Sequence, residues 1–496
     1  MQFSDSEPLS QVDPLRHTAE LIFTIERSER LLEPGTWPIK SRLVWEASRH
    51  RLGETLRSAM IENSLDYAAY YKGVGRERQR IGETCHFIWS SIIRSPFLAP
   101  TRRPVLVWSH QRKQRREDGC NEDIYSSPVI QQVGSKNAVI VDPPFRGRYQ
   151  SVNRLCRHAY TGGLLLVIAR LLKQFLKFRR FRQIEELAIQ IQPYLRQSLP
   201  AIDLCMSSFL HDRAADLWAK AFVFDLLLRR LKPKVLIVAN SYGFPGLLLA
   251  AKMQSIPVVE IQHGIISNDH LGYAVPANCS REIYPDKLYI FGDYWRETVS
   301  YPAKDFEAVT TGFPYFEYRR GKIADVVKVD LLVILSQPTL RSQLEELAVR
   351  VIPKISPSIR IIFKLHPSES MVDRSVEHSH RAFNDLIRNG RLEIVKDEVD
   401  TYELLARAKW VMGGYSTAIF EAIGLGCQAL LAELPGSDMM RPLVQRGCAT
   451  FLDTEEPAPA LETRSSACSP DSLFAQDAIN LLRMALHRDV SSLFES

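Results

Sequence analysis

Val258-Val259-Glu260-Ile261-Gln262-His263-Gly264 reads as a short buried strand that runs out into a polar residue, a histidine and a glycine. Open α/β sheets bind ligands just outside the carboxyl ends of their strands. Residues at this place in the pattern are therefore candidates for chemistry. Ile359-Arg360-Ile361-Ile362-Phe363-Lys364-Leu365-His366-Pro367 repeats the arrangement further along the chain. Two strand-end histidines, His263 and His366, in two successive α/β halves suggest one cleft approached from both sides.

Around the first stretch the sequence alternates between short apolar runs and helical patterns. Val105–Trp108, Ala138–Val141, Val235–Ala239 and Lys287–Phe291 read as buried strands, with a helix through Leu247 to Met253. A boundary falls near Gly312-Phe313-Pro314, after which the alternation restarts. Strands are expected at 330–335, 359–364, 392–395, 409–412, 428–431 and 449–452, with helices from Arg341, Thr401 and Thr417. Wholly apolar strands alternating with helices predict a parallel, doubly wound sheet. The expected organisation is a helical region over 1–98 and a Rossmann-like domain over 99–312 with a helical insertion at about 150–230. A second Rossmann-like domain follows over 313–455, then a loop and closing helix over 456–496.

At 496 residues, two or three domains are expected. A hydrophobic fraction of 45%, a charged fraction of 24% and a net charge of +6 describe an ordinary globular protein and give no argument for nucleic acid. The eight cysteines form no C-x-x-C pair, and they are expected as reduced thiols in a cytosolic protein. There is no signal-peptide pattern and no apolar run near the ~20 residues that span a bilayer. The expected location is cytoplasmic, with attachment to a membrane surface left open. Leu164 to Arg182 is the segment suited to that attachment: Leu164, Ile168, Leu171, Leu172 and Phe175 share one helical face, and Arg170, Lys173, Lys177 and Arg180 the other. A core-packed helix with a basic outer face reads equally well.

Gly413-Gly414-Tyr415-Ser416-Thr417 is a strand end, a glycine turn and a helix start. Glycine lets a backbone approach a ligand closely, and a helix N-terminus offers free N–H groups to a phosphate. Ser416 also suits a plain helix cap. Lys364 and His366 are two apart on a strand and project to the same side. A cation and an imidazole there suit a nucleotide's phosphates. Glu421, one turn into the helix, is in reach of a ribose hydroxyl, or is an ordinary helix glutamate. Gln262, His263 and Gly264 are candidates for the sugar, with His263 also a catalytic candidate. Glu117-Asp118-Gly119, on the loop after the first strand, offers a carboxylate base or merely a solvated loop. There is no D-x-D, no Walker A loop, no G-x-G-x-x-G and no G-x-S-x-G, so no metal and no cofactor are expected.

At these residues the chain resembles the GT-B glycosyltransferases, whose two Rossmann-like domains face each other across a cleft. The resemblance covers roughly 230–450 well and 100–230 poorly. The His-Pro at 366–367 and the Ser-Thr at 416–417 resemble the paired motifs of bacterial sialyltransferases and of capsule and lipopolysaccharide Kdo transferases, which use CMP-sugars. Gln262-His263-Gly264 is similar to a motif of surface-polysaccharide transferases. The resemblance implies that His366 contacts the donor phosphate, that Ser416 and Thr417 bind it, and that Glu117 or Asp118 is the base. It implies a nucleotide sugar and a glycan or lipid-linked glycan acceptor as partners. Ala429 stands where many retaining enzymes carry the second glutamate of an E-x7-E pair counted from Glu421. A glycerophosphotransferase, a UDP-sugar 2-epimerase and a non-catalytic sugar-nucleotide-binding scaffold remain alternatives.

Overall fold

A computed structural model describes residues 14–62, 81–110, 113–115, 121–144, 158–179, 181–275, 282–298, 306–366, 369, 381–396, 398–462 and 469–490. The chain divides into two compact units. The first takes in the described residues within Glu20–Glu54, Arg78–Tyr315 and Asp477–Ser496. The second takes in those within Met1–Ala19, Thr55–Glu77 and Phe316–Gln476.

In the first unit, strands β1 (Val105–Trp108), β4 (Ala138–Asp142), β5 (Ala159–Thr161), β6 (Val235–Val238), β7 (Val258–Ile261), β8 (Lys287–Ile290) and β9 (Glu307–Thr310) form one sheet; a small hairpin of β2 (Gln114–Arg115) and β3 (Asn121–Glu122) stands apart. The sheet order is β5-β4-β1-β6-β7-β8-β9, and all of its pairs are parallel. This is a Rossmann winding, with the chain crossing from one half of the sheet to the other between β1 and β6. Both faces are buried, as the apolar strands require. Leu106 and Trp108 face a core shared with the helices Gly163–Leu176, Met206–Leu231 and Pro245–Met253. Val105 and Val107 face the opposite core. There Val129, Ile130 and Val133 of the helix Ser126–Val133 meet Leu482, Leu486 and Val490 of the last helix, Ala478–Val490. That last helix, the closing helix expected within 456–496, returns to the first unit.

The second unit repeats the plan. Strands β10 (Val329–Leu335), β11 (Arg360–Lys364), β12 (Glu393–Val395), β13 (Ala408–Gly413), β14 (Gln428–Leu431) and β15 (Ala449–Phe451) pair in parallel in the order β12-β11-β10-β13-β14-β15. Here the crossing lies between β10 and β13. Two such Rossmann-like units preceded by helices at Pro14–Ser28, Ile39–Glu62 and Ile81–Ile93 make the GT-B plan.

Two expectations are corrected. The loop expected before the closing helix in 456–496 contains a helix at Pro457–Glu462 and one starting at Pro470. Two side chains hold it in place: Trp410 Nε1 donates to the Leu461 carbonyl at 3.0 Å and Gln428 Nε2 to that of Ala460 at 2.6 Å. Cys448 is disulfide-bonded, not a reduced thiol; Cys205 and Cys427 are free. Among the described residues no helix is long and apolar enough to cross a membrane.

Candidate active site

In each unit the crevice beside the crossing point is where a doubly wound sheet receives a ligand. At the carboxyl edge of the first unit, β1 ends in Ser109-His110, β6 leads to Ser241-Tyr242 and β7 to Gln262-His263. These side chains gather into a row of half-buried imidazoles and phenols. The rings of His110 and His263 are 5.2 Å apart, those of Tyr242 and His270 4.9 Å, and those of His50 and Tyr242 4.4 Å. Tyr242 Oη lies 3.1 Å from His263 Nε2. An imidazole is the side chain suited to exchanging a proton with a hydroxyl near pH 7.

The row is held from beneath. Asp123, fully buried, accepts from the His110 backbone N–H at 2.7 Å and from the Tyr125 N–H at 2.9 Å, so one carboxylate fixes both rings' chain positions. Lys113 is buried against Asp142 at 2.5 Å, and Asp142 also accepts from Ser109 Oγ. Glu260 is buried on β7. Its Oε1 accepts from Ser241 N–H at 3.2 Å and from Tyr273 Oη at 3.0 Å. Desolvation outweighs those bonds and pushes its carboxyl up to about 7. Gln262 is fully buried and spends its amide on backbone: Oε1 accepts from Phe291 N–H at 2.8 Å, and Nε2 donates to the Gly264 carbonyl at 2.9 Å. It thereby shapes the turn that presents His263. A Cβ on Gly264 would meet nothing within 4 Å, so open space lies over that turn.

The N-terminal helices supply what the motifs did not. Arg49, on the helix Ile39–Glu62, is buried between Glu26 (2.7 and 2.9 Å) and the carbonyls of Leu271 and Ala274 (2.8 Å each). It ties the helix to the loop of His270, and the next residue, His50, joins the ring cluster.

At the edge of the second unit, β10 ends in Ser336-Gln337, β11 leads to His366 and β13 to Gly414-Tyr415-Ser416. Gln337 bridges the crossing point. Its Oε1 accepts from Tyr415 N–H at 2.9 Å, and its Nε2 donates to the Tyr415 carbonyl. Gly414 is needed for this closeness, since a Cβ there would lie 2.5 Å from Leu340 Cδ1. Ser416 is an N-cap: its hydroxyl accepts from Ala418 N–H at 3.2 Å, and Thr417 opens the helix Thr417–Gly424. Lys364 is buried and donates to the Leu365 carbonyl at 3.1 Å. Glu369, absent from the motif reading, accepts from His366 N–H at 2.7 Å and from Ser336 Oγ at 3.0 Å. It ties the ends of β10 and β11 together; burial pushes its carboxyl up against the opposing pull of the His366 N–H and Arg341. Glu421 is directed to Tyr402 and Arg319, and desolvation raises its carboxyl to about 7 despite both.

The structure thus puts Lys364 and His366 at the end of β11 and Gly414, Ser416 and Thr417 at the end of β13, the two strands that flank β10 in the second unit, and His263, Gln262 and Gly264 at the edge of the first. Glu117 and Asp118 lie outside the described residues. His50, His110, Tyr242, Gln337 and Glu369 carried no motif signal; only the strand-end positions of His110, Tyr242 and Gln337 mark them in advance. Among the described residues no group of three or more His, Cys, Asp or Glu is placed to hold a metal ion.

No family model matches the chain, and no curated protein matches it. Solved structures do. A UDP-GlcNAc 2-epimerase from Methanocaldococcus jannaschii aligns with 77% of this chain and 99% of its own, at 13% identity and a TM-score of 0.44. A putative UDP-N-acetylglucosamine 2-epimerase from Listeria monocytogenes covers 80% of this chain and 98% of its own, at 11% identity and a TM-score of 0.45. The spinosyn rhamnosyltransferase SpnG covers 78% and 99%, at 14% identity and a TM-score of 0.42. These are distant likenesses in fold.

Proposed function

We propose that the protein is a metal-independent glycosyltransferase. It moves a sugar from a nucleotide sugar, a CMP-sugar such as CMP-Kdo, to a hydroxyl of a capsule or lipopolysaccharide glycan. The observation that carries the reading is the edge of the second unit. An imidazole on a strand end fixed by Glu369 stands one strand from the crossing point, and a capped helix start lies across it. A departing nucleotide needs its phosphate charge met. His366 and the helix N-terminus of Ser416-Thr417 meet it with preset donors, and Lys364 adds positive charge beneath. The anomeric C–O bond to the phosphate breaks as the acceptor oxygen forms its own bond to that carbon.

His263, which has Tyr242 Oη at 3.1 Å from its Nε2, is the described group whose chemistry suits taking the acceptor proton. Glu117 or Asp118 is the base that the family resemblance implies. The acceptor is a glycan, free or lipid-linked, and the protein works at the inner face of the cytoplasmic membrane. A 2-epimerase is the second reading, favoured by the density of proton-exchanging rings at the first unit's edge. It would convert its sugar nucleotide with no acceptor present.

A thermal-shift screen of CMP, UDP, GDP, CDP and dTDP tests the proposal. A ligand of the folded state at a hundred times its Kd stabilises by about 2.7 kcal/mol. CMP is expected to raise the melting temperature most. No shift with any nucleotide would overturn a sugar-nucleotide site, and a shift with UDP alone would move the reading to the epimerase.

A further inference from the structure

The helix Gly163–Leu176 divides its apolar residues between two faces. Leu165 and Ala169 are buried in the core of the first unit, with Ile168 and Leu172 packed against them. Val167, Leu171 and Phe175 fall on another side and stay exposed, Phe175 at 73%, and Phe178 just beyond the helix is 88% exposed. The helix Ile81–Ile93 lies directly beside it. Gly163 permits the contact, since a Cβ there would fall 2.2 Å from Ser91 Oγ and 3.0 Å from Phe87 Cζ. That second helix also leaves large residues uncovered: Ile88, Ile92, Ile93 and Trp89, the last at 63%. Single exposed apolar residues are ordinary, but a run of them on adjacent helices marks a docking surface.

Charge identifies the occupant. Beside the exposed stripe, the same helix and Met206–Leu231 flank an open, basic cavity of ≈ 400 Å³ lined by Arg170, Lys173, Lys177, Lys220 and Asp216 among others. Lys173 and Lys177 share Asp212 at 2.7 Å each, and Lys220 pairs with Asp216 at 2.8 Å. Four cations against two carboxylates leave positive charge in excess. A second copy of the chain docking by this face would bring like charges together. An anionic lipid surface instead takes the aromatic residues at its headgroup boundary and offers phosphates to the basic cavity.

We infer that the paired helices Ile81–Ile93 and Gly163–Leu176 form a membrane-docking face, with the exposed aromatic stripe entering the lipid and the basic cavity receiving an anionic phospholipid headgroup. This deepens the membrane partner proposed above and rests on that reading for its purpose, not for its geometry.

Flotation of the full-length protein with vesicles tests it. The native chain should float with phosphatidylglycerol–phosphatidylcholine vesicles at low salt and stay behind with phosphatidylcholine alone. Phe175→Ser with Phe178→Ser removes exposed rings only, so folding should persist, and partitioning should fall at least ~10-fold. Arg170→Gln with Lys177→Gln should lower it about 30-fold at low salt, the effect shrinking as salt rises. Nucleotide-induced stabilisation should be unchanged in both variants, which separates this face from the donor site. The inference fails if the native chain ignores anionic vesicles at low salt or if the serine variant floats as well as the native chain. It fails equally if light scattering shows a native dimer that the serine variant dissolves.

Discussion

Glu260 gives the sharpest physical prediction. Its carboxyl is buried on β7, and its pKa rises from an ordinary 4.5 to about 7 because desolvation outweighs the Ser241 and Tyr273 hydrogen bonds. The folded chain therefore holds this proton between about pH 4.5 and 7, where the unfolded chain has released it. Stability from this group is fully present below pH 4.5, falls through that window and is gone above about 7. A rise of that size corresponds to about 3 kcal/mol. Glu260→Gln keeps the shape and the acceptor oxygen but cannot ionise. Its stability relative to the native protein should thus rise by about 3 kcal/mol between pH 4.5 and 8. Burying the amide NH2 adds an offset that does not change with pH. Glu421, raised to a similar value, titrates in both proteins and cancels. Six of the seven tryptophans lie in the first unit, so urea unfolding followed by tryptophan fluorescence reads it selectively. A difference between variant and native protein that stays flat from pH 5 to 8 would refute the reasoning.

Two further outcomes follow from the same geometry. Arg49→Leu leaves Glu26 buried without its cation and should cost about 3–5 kcal/mol in the same unfolding assay, with Glu26→Leu in addition restoring much of the loss. Gly414→Ala forces its new methyl against Leu340 Cδ1 and should destabilise the second unit by ~1–3 kcal/mol, measured by the circular-dichroism melting curve.

The second unit is readable almost strand by strand, because most of its strands carry an apolar run bounded by turn residues and helices. In the seven-stranded sheet of the first unit, β5 and β9 escaped. β5 is only Ala159–Thr161, and β9 is an edge strand whose residues are all partly exposed, so neither carries a hydrophobic run. Strand-end placement exposed His263, His366 and the Ser416 helix start. It could not expose His50, which reaches the cluster from a helix more than 200 residues before His263 in the chain. Nor could it show that Gln262 serves the backbone, or that Gln337 spans to Tyr415, since both depend on which strands become neighbours. The periodicity of Leu164–Arg182 was legible, but how its apolar residues divide between core and solvent is decided by packing against Met206–Leu231 and Ile81–Ile93.

The central claim is that the second unit's edge carries the departing nucleotide, and release of CMP from a CMP-sugar tests it most directly. In EDTA, with and without a glycan acceptor, the native protein should release CMP faster when acceptor is present. A folded His366→Ala variant should lose ~10²-fold or more in turnover. Native-level release by His366→Ala, or release that vanishes in EDTA and returns with magnesium, would contradict the account.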